Sequence, residues 1–394
     1  MQYRTAPKTG DALPVLGYGC MRFPKKRGGV DQGESTRLVQ LALDRGVNYF
    51  DTAYIYPGSE EALGRALEQL GARERALIAT KLPHYLLRRA GDAEQIFRTQ
   101  LARLRTDHID YYLMHMLPDA ATWRRLCQLG IPEWLAGLRR QGRIRRIGFS
   151  YHGHREEFLK LLGEYDWDFV QIQYNYMDEN SQAGRRGLEA AQARGLPVFI
   201  MEPLRGGRLT EGLPPTARRL IEEHRPPLSP AALGLNWLWD QPGVTCVLSG
   251  MGTAAMLEEN CRLADRSRPG MLDGETRALI DRVRGEINRC IRVGCTGCGY
   301  CLPCPAGVDI PGVFRCYNER YTDGWFTAVK EYTMCTTLRR TPSYASLCQN
   351  CGKCERHCPQ ALPIRRELNN AARVLENPAW RAARWAVKKS GRFG

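Results

Sequence analysis

Short apolar runs alternate with longer amphipathic stretches along the first 265 residues. The runs are rich in β-branched and aromatic residues, and each is followed by a stretch with apolar positions at helical spacing. Parallel strands that are buried on both faces produce this alternation, because a crossover helix must follow each strand. In chain order, the eight runs are PVLGYG, VNYFDT, ALIATK, IDYYLMH, IRRIGFS, DFVQIQ, PVFIME and VTCVLSG.

The count of strand–helix units decides between two α/β folds. Eight units in about 250 residues predict a closed (β/α)8 barrel, a TIM barrel. A doubly wound open sheet is the alternative, but no G-x-G-x-x-G motif follows the first run, and the eightfold count favours closure. The first helix is expected to begin at Ser35 or Thr36 as its N-cap and to stop at Gly46.

The cysteine pattern after residue 290 is different in kind. Two C-x2-C-x2-C triplets are each followed by a Cys-Pro pair, a spacing that suits [4Fe–4S] clusters and fits structural zinc poorly. This part of the chain resembles a two-cluster ferredoxin with added helices, although the first motif has two residues before its last cysteine instead of three. By the crossing rule for paired clusters, the expected ligands are Cys295, Cys298, Cys301 and Cys358 for one cluster, and Cys348, Cys351, Cys354 and Cys304 for the other.

Length and composition set the domain organisation. The chain has 394 residues, 43% of them hydrophobic and 25% charged, which suits two globular domains. We expect the barrel over residues 1–287, the iron–sulfur domain over 288–366 and a basic tail over 367–394. No apolar run is long enough to span a bilayer and the N-terminal stretch has no apolar core of signal-peptide length, so the expected location is the cytoplasm.

The formal net charge of +15 is concentrated in part at the end of the chain. Residues 365–394 contain eight Arg or Lys against two Glu. No nucleic-acid-binding module accompanies them, so a solvated basic face is the favoured interpretation and no nucleic-acid partner is expected. Trp380 and Trp385 among the basic residues leave a helix lying on a membrane surface as the alternative.

Polar residues stand where the predicted strands end, which is where barrel enzymes place their chemistry. Asp51 ends the second run, with Tyr56 five residues later; Lys81 ends the third and His115 the fourth. A tyrosine hydroxyl beside an ammonium becomes a better acid, because the charge lowers its pKa. Lys81 would supply that charge, Asp51 would hold Lys81, and His115 would orient a substrate carbonyl by a hydrogen bond.

These residues and their surroundings resemble the aldo/keto reductases. The likeness runs from about residue 10 to residue 265 and includes GVNYFDTAYIYPGSEEALGRAL, ATKLP, LRTDHIDYYLMH, GRIRRIGFS and VQIQYN. The resemblance implies a nicotinamide cofactor across the barrel mouth and a catalytic tetrad of Asp51, Tyr56, Lys81 and His115. It further implies Ser150 and Gln173 at the nicotinamide amide, and Glu259 and Asn260 at the adenine.

The sequence departs from that family at the cofactor site. Met201 stands where the family commonly has a tyrosine that stacks on the nicotinamide. Gly250 and Met256 stand where reductases that prefer the 2′-phosphate usually carry Lys and Arg, so the choice between NAD and NADP stays open, with Arg205 and Arg208 as compensating candidates. The turns RGGR and SGMG follow strands seven and eight, the usual phosphate site of this barrel; the residues expected there are Arg205, Gly206, Ser249, Gly250 and Gly252.

Three functions are consistent with these features. The first is an oxidoreductase that moves a hydride between NAD(P)H and a small carbonyl or alcohol, with the clusters serving electron transfer or structure. The second is an electron-transfer reductase in which an external ferredoxin feeds the clusters and FMN occupies the barrel site. The third is a redox sensor that keeps the barrel as a reporter of cofactor state. The complete tetrad favours the first.

Overall fold

Eight parallel strands close into a barrel in this computed structural model, which describes residues 1–26, 28–152, 155–180, 182–295, 297, 299–322, 324–337, 342–358 and 360–389. The strands follow one another around the barrel in chain order, and the last pairs with the first. The predicted (β/α)8 barrel is therefore confirmed. Its strands are β1 Leu16–Gly19, β2 Tyr49–Asp51, β3 Leu77–Leu82, β4 Ile109–Met114, β5 Ile144–Tyr151, β6 Phe169–Gln173, β7 Val198–Met201 and β8 Cys246–Ser249.

Helices follow the strands as crossovers. Outside the barrel wall, short strand pairs form hairpins at Tyr3–Thr5 with Ala12–Pro14 and at Lys25–Lys26 with Gly29–Val30. The helices up to the end of the barrel sequence are α1 Gln32–Asp44, α2 Ser59–Gln69, α3 Ala90–Leu104, α4 Ala120–Gln128, α5 Ile131–Arg140, α6 Arg155–Glu164, α7 Gly184–Ala193, α8 Pro215–Glu222, α9 Pro230–Trp239 and α10 Ala254–Asp265. Short 3₁₀ segments lie at Cys20–Arg22, Arg73–Arg75, His84–Leu86 and Arg205–Gly207.

The first helix begins earlier than its sequence predicts. Its N-cap is Asp31, whose carboxylate accepts a hydrogen bond from the backbone N–H of Glu34 at 3.2 Å. Ser35 already lies inside the helix. The prediction that Ser35 or Thr36 forms the N-cap was therefore wrong. An aspartate carboxylate satisfies the unpaired N–H groups of a first turn as well as a hydroxyl does, and it stands four residues closer to the strand.

Aromatic side chains fill the barrel beneath the C-terminal ends of its strands. Tyr49 stacks on Phe199 with ring centres 4.5 Å apart, and Tyr111 meets Phe169 edge to face at 5.1 Å. These rings come from four different strands and are fully buried or nearly so. Because such a layer packs like an organic solid, it forms a firm floor for the polar residues above it.

The chain divides into two compact units. One contains residues 1–206 and 231–273, and the other contains residues 207–230 and 274–394. The second unit therefore includes α8, which packs against α11. Its remaining elements are α11 Gly274–Arg289, α12 Ile310–Thr322, α13 Trp325–Tyr332, a π-helical turn Thr333–Thr337, a 3₁₀ turn Ala345–Leu347, α14 Lys353–Arg356, α15 Ile364–Leu375 and α16 Pro378–Lys389.

The second unit has its own apolar core, built mainly by α12, α13, α15 and α16. Phe314 and Leu368 are buried at its centre, and Trp380 packs between Tyr332 and Tyr344. The helix-rich architecture predicted for this part of the chain is thus present. In the described part of the chain, no helix is both long and apolar enough to cross a membrane.

Candidate active site and cluster cysteines

The Lys81 ammonium is the centre of a buried polar cluster at the ends of β2 and β3. Its Nζ donates hydrogen bonds to Asp51 Oδ1 and to the carbonyl oxygen of Thr52, each at 2.7 Å. Asp51 accepts a further hydrogen bond from Gln171 Nε2 on β6 at 2.9 Å. Both partners of this ion pair are buried, so each charge depends on the other for stabilisation.

Tyr56 and His115 complete the group that the sequence predicts. Nζ of Lys81 lies 5.2 Å from the centre of the Tyr56 ring. The rings of Tyr56 and His115 are 6.1 Å apart and nearly perpendicular. His115 follows β4 directly, and its backbone N–H donates to the carbonyl oxygen of Leu82 at 2.9 Å. Three strand ends and one loop therefore bring all four predicted side chains into one site.

The charges of this site favour a protonated tyrosine in the resting state. The Lys81 ammonium is the largest single influence on Tyr56 and lowers the pKa of its hydroxyl, but burial and the carboxylates of Asp51 and Glu202 outweigh it. The pKa of Tyr56 is therefore raised overall, although Lys81 acts on it in the expected direction. Burial acts most strongly on Lys81 and lowers its pKa, yet Asp51 and Tyr56 together raise it, so Lys81 keeps its charge.

The His115 imidazole is neutral at ordinary pH. Burial is the main cause, and the neighbouring Lys81 charge adds to it; together they lower the pKa of His115 to about 3. The side chain is 4% exposed, and its Nδ1 has no hydrogen-bond partner among the described residues. A neutral imidazole can present one N–H group to a substrate oxygen without bringing a second positive charge beside Lys81.

A second buried network supports the loop that carries Tyr56. Glu60 accepts hydrogen bonds from Thr80 at 2.6 Å, Gln100 at 3.1 Å and Arg103 at 3.2 Å. Arg103 also donates to the carbonyl oxygen of Tyr54 at 3.1 Å and lies over its ring at 4.5 Å. Burial dominates at Glu60 and raises its pKa. This network fixes the backbone two residues before Tyr56.

Sequence reasoning missed the members of this network as well as Gln171. Glu60, Gln100 and Arg103 lie on helices, where charged and amide side chains are ordinary, so their positions carried no signal. Gln171 could have been found, because alternation along the run VQIQ places it on the same side of the strand as Gln173.

The residues expected at the nicotinamide amide lie at the ends of adjacent strands. Ser150 is on β5, and its Oγ accepts a hydrogen bond from the backbone N–H of Met116 at 2.8 Å. Gln173 ends β6, donates to Asp178 Oδ2 at 3.1 Å and accepts from Gln182 Nε2 at 2.8 Å. Hydrogen bonds to other residues of the protein therefore orient both side chains.

The residues expected at the phosphates and the adenine are placed as follows. Arg205 donates two hydrogen bonds to the buried Asp178, at 2.7 and 2.8 Å. Arg208 belongs to the second unit, where it pairs with Glu319 at 2.6 Å. Both arginines named as 2′-phosphate candidates are thus already in ion pairs.

The remaining residues expected at the cofactor lie at strand ends, in turns and on α10. Met201 ends β7, and the two turns contain Gly206, Gly250 and Gly252. Asn260 on α10 donates a hydrogen bond to Ser249 Oγ at 3.1 Å, and its neighbour Glu259 is half-buried.

The two cysteine triplets have left-handed residues at the same two positions. In the first, Gly297 and Gly299 have left-handed φ values of 70° and 75°. In the second, Asn350 and Gly352 occupy the same two positions, with φ values of 56° and 71°. The Asn350 N–H also donates to the sulfur of Cys348 at 3.4 Å. Such turns redirect the chain between successive thiols, and hydrogen bonds to sulfur are typical of iron–sulfur sites.

A cavity in the second unit brings cysteines from both motifs together. It is lined by Cys295 and Cys301 of the first triplet and by Cys358, which follows the second. Phe314 and Ile364 contribute apolar walls. Cys298, the predicted middle ligand, lies outside the described residues. Thiols around an apolar cavity fit a [4Fe–4S] cluster, whose potential depends on burial and on contacts to sulfur.

The other predicted ligands are less closely gathered. Cys304, Cys348 and Cys354 are partly buried against the core of the second unit, whereas Cys351 is exposed. Within the ranges that the structure describes, no three Cys, His, Asp or Glu side chains come close enough to form a metal site by themselves.

Comparison with known proteins identifies both parts of the chain. Residues 15–268 match the aldo/keto reductase family, and residues 294–363 match a 4Fe-4S dicluster domain. The chain belongs to the aldo/keto reductase family and carries a 4Fe-4S dicluster domain after its barrel. The family and its oxidoreductase relatives make it an oxidoreductase enzyme.

Several relatives share the barrel. An uncharacterised oxidoreductase of Bacillus subtilis, YrpG, is 28% identical over 340 residues, which cover 72% of this chain and 96% of the relative. The methylglyoxal reductase YeaE of Escherichia coli is 26% identical over 281 residues, covering 67% and 90%. Among solved structures, an aldo-keto reductase from Klebsiella pneumoniae in complex with NADPH is 26% identical, with a TM-score of 0.57 and coverage of 72% and 96%.

Proposed function

We propose that the barrel transfers a hydride between NAD(P)H and the carbonyl or alcohol group of a small substrate, with Tyr56 as the proton donor. The observation that carries this proposal is the buried ion pair of Lys81 and Asp51, whose ammonium lies 5.2 Å from the centre of the Tyr56 ring. A bound nicotinamide supplies the hydride. Side chains of the protein itself carry out the other steps.

Tyr56 holds the proton that the substrate oxygen takes up as its carbon is reduced. The Lys81 ammonium stabilises the phenolate that remains, and Asp51 keeps the ammonium charged and in place. Neutral His115 donates a hydrogen bond to the same substrate oxygen. The product is an alcohol with the hydride on carbon and the tyrosine proton on oxygen; solvent then returns a proton to Tyr56. Alcohol oxidation uses the same groups in reverse.

The cofactor site is proposed from the turns and strand ends around this group. Ser150 and Gln173 would bind the nicotinamide amide, Met201 would lie against its ring, and Glu259 with Asn260 would meet the adenine. The NADPH complex of the Klebsiella pneumoniae relative supports a nicotinamide here. FMN, the other cofactor consistent with the phosphate turns, has no comparable support.

The second unit is proposed to hold two [4Fe–4S] clusters with crossed ligands. The cavity that joins Cys295, Cys301 and Cys358 supports the first set, which Cys298 would complete. The second set would be Cys348, Cys351, Cys354 and Cys304.

The clusters are assigned a partner by the number of electrons they carry. Each cluster carries one electron, whereas a hydride carries two. We therefore propose that the clusters exchange single electrons with an external carrier of ferredoxin type in the reducing cytoplasm.

Replacement of a single hydroxyl tests the hydride chemistry. Tyr56→Phe should lower kcat for reduction of small aldehydes by about 10²- to 10⁴-fold, because the general acid is removed. Tyr54→Phe is the matched control, since it keeps the ring beneath Arg103 and the carbonyl that Arg103 binds. Oxidation of NADPH under anaerobic conditions would be measured alongside iron content. Full turnover by Tyr56→Phe would refute the assignment.

A further inference from the structure

The guanidinium of Arg365 lies against the turn of the second cysteine triplet. The turn contains Gly352, which stands between Cys351 and Cys354 in the sequence. A Cβ atom built on Gly352 would lie 3.4 Å from Cζ of Arg365 and 3.6 Å from its Nε and Nη1. Arg365 belongs to α15, so the fold brings a positive charge from a separate helix to the backbone between two cysteines predicted to hold the second cluster.

The carboxylate of Glu355 holds this guanidinium in place. It accepts hydrogen bonds from Nε of Arg365 and from the backbone N–H of Arg365, both at 2.9 Å, and it pairs with Nη2 at 2.7 Å. That N–H lies in the first turn of α15, where backbone donors have no partner within the helix. The Arg365 side chain is 47% exposed, so solvent weakens its electric field without removing it.

The cavity of the first predicted cluster has a different lining. Apart from its three cysteines, its walls are mostly apolar, and no Lys or Arg lines it in the part of the chain that the structure describes. The arginine that most closely precedes the first triplet, Arg292, lies over the ring of Tyr321, 4.5 Å from its centre. The two predicted cluster sites therefore differ in the charge that surrounds them.

This difference acts on the ease of reduction. Reduction adds one electron to a cluster that is already anionic, so a nearby positive charge favours the reduced form, whereas a nearby carboxylate or apolar walls disfavour it. We infer that Arg365 raises the reduction potential of the second cluster above that of the first, by its charge at Gly352 and by neutralising Glu355. This inference rests on the proposed function, because it requires the second set of cysteines to hold a cluster. An electron from the external carrier then occupies the second cluster first.

A redox titration followed by EPR tests the inference on the full-length, cluster-loaded protein. Arg365→Gln removes the charge but keeps a group that can hydrogen-bond to Glu355. At a fixed solution potential, it should lower the ratio of reduced to oxidised second cluster about tenfold, and Arg365→Lys should restore most of that ratio. Arg366→Gln removes the same charge from the next residue, which pairs with Glu367, and should change the ratio by less than about twofold. An unshifted second signal in Arg365→Gln would overturn the inference, as would loss of that cluster, which would make the role structural.

The order of reduction in the wild type gives a test that needs no arginine variant. The EPR signal that appears first as the potential falls should be the one that is missing from Cys351→Ala, since Cys351 belongs to the second set alone. Earlier appearance of the other signal would contradict the inference. Failure of the proposed function has a different signature, because the wild-type protein reconstituted with iron and sulfide would then not show two cluster signals at any potential.

Discussion

The Lys81 ammonium and the Asp51 carboxylate lie 2.7 Å apart inside the barrel, with only 2% and 8% of their side chains exposed. Removing the carboxylate leaves a buried charge without its partner, which destabilises a protein by about 3–5 kcal/mol. We expect Asp51→Asn to lower kcat about 10²-fold, because Lys81 is no longer held beside Tyr56. Asp44→Asn, which removes an exposed carboxylate, is the control.

The same variant should change the dependence of activity on pH. Asp51 raises the pKa of Lys81 in the folded protein. The stabilisation from the pair is therefore fully present below about pH 10.4, the pKa of an ordinary lysine, and is lost as the pH rises through the higher pKa of Lys81 in the folded state. In Asp51→Asn, burial remains and lowers the pKa of Lys81. The alkaline loss of kcat should therefore begin at lower pH than in the wild type. Identical alkaline limbs would contradict the role of the pair.

The neutral state of His115 makes folding sensitive to acid. Its pKa is about 3 in the folded protein and about 6.5 in an unfolded chain, so between these values the unfolded state binds more protons. The contribution of neutral His115 to the stability is present above pH 6.5 and falls as the pH drops towards 3. The variant His115→Gln has no titrating side chain here and so lacks this pH-dependent contribution. Urea unfolding between pH 7 and 4 should show a smaller loss for His115→Gln than for the wild type; parallel losses would argue against a neutral His115.

Crossed ligation predicts which cluster each outlying cysteine serves. Cys358 follows the second triplet in sequence but lines the cavity with Cys295 and Cys301. Cys358→Ala should therefore disturb the first cluster, and Cys304→Ala the second. EPR of the dithionite-reduced variants, together with iron analysis, would separate the two signals. The crossing would be wrong if Cys358→Ala and Cys351→Ala removed the same signal.

The Asn318 side chain anchors the segment before the first triplet. Its Oδ1 accepts hydrogen bonds from the N–H groups of Arg292 and Val293, both at 2.9 Å, and its Nδ2 donates to the carbonyl of Val293 at 2.8 Å. Each such bond contributes about 1 kcal/mol. Asn318→Ala should lower iron content towards about half by loss of the first cluster.

Asn370→Ala provides the comparison for that experiment. Asn370 lies in the same unit, and its amide donates to the side chain of Glu367 at 3.1 Å instead of fixing a backbone segment. Iron content should remain near that of the wild type. Equal iron loss in both variants would indicate general destabilisation of the unit and would contradict a specific anchoring role for Asn318.

Local sequence was enough to predict the barrel and its four central side chains. Strand-and-helix alternation is a periodic property of short segments, and Asp51, Lys81 and His115 are each attached to the end of one strand. Parallel strands place those ends together whatever the intervening helices are. The cysteine spacing was similarly local, since three thiols within seven residues can meet the same cluster.

Contacts between distant segments decided the rest. Gln171 reaches Asp51 from four strands further along the chain, and Arg103 on α3 fixes the loop before Tyr56. The raised pKa of Tyr56 depends on the sum of burial and several charges, which no single motif contains. Arg22, which lies against Gly206 and Gly250, could not be placed from the sequence for the same reason. Its position follows only from closure of the barrel, which brings the loop after β1 against turns more than 180 residues later.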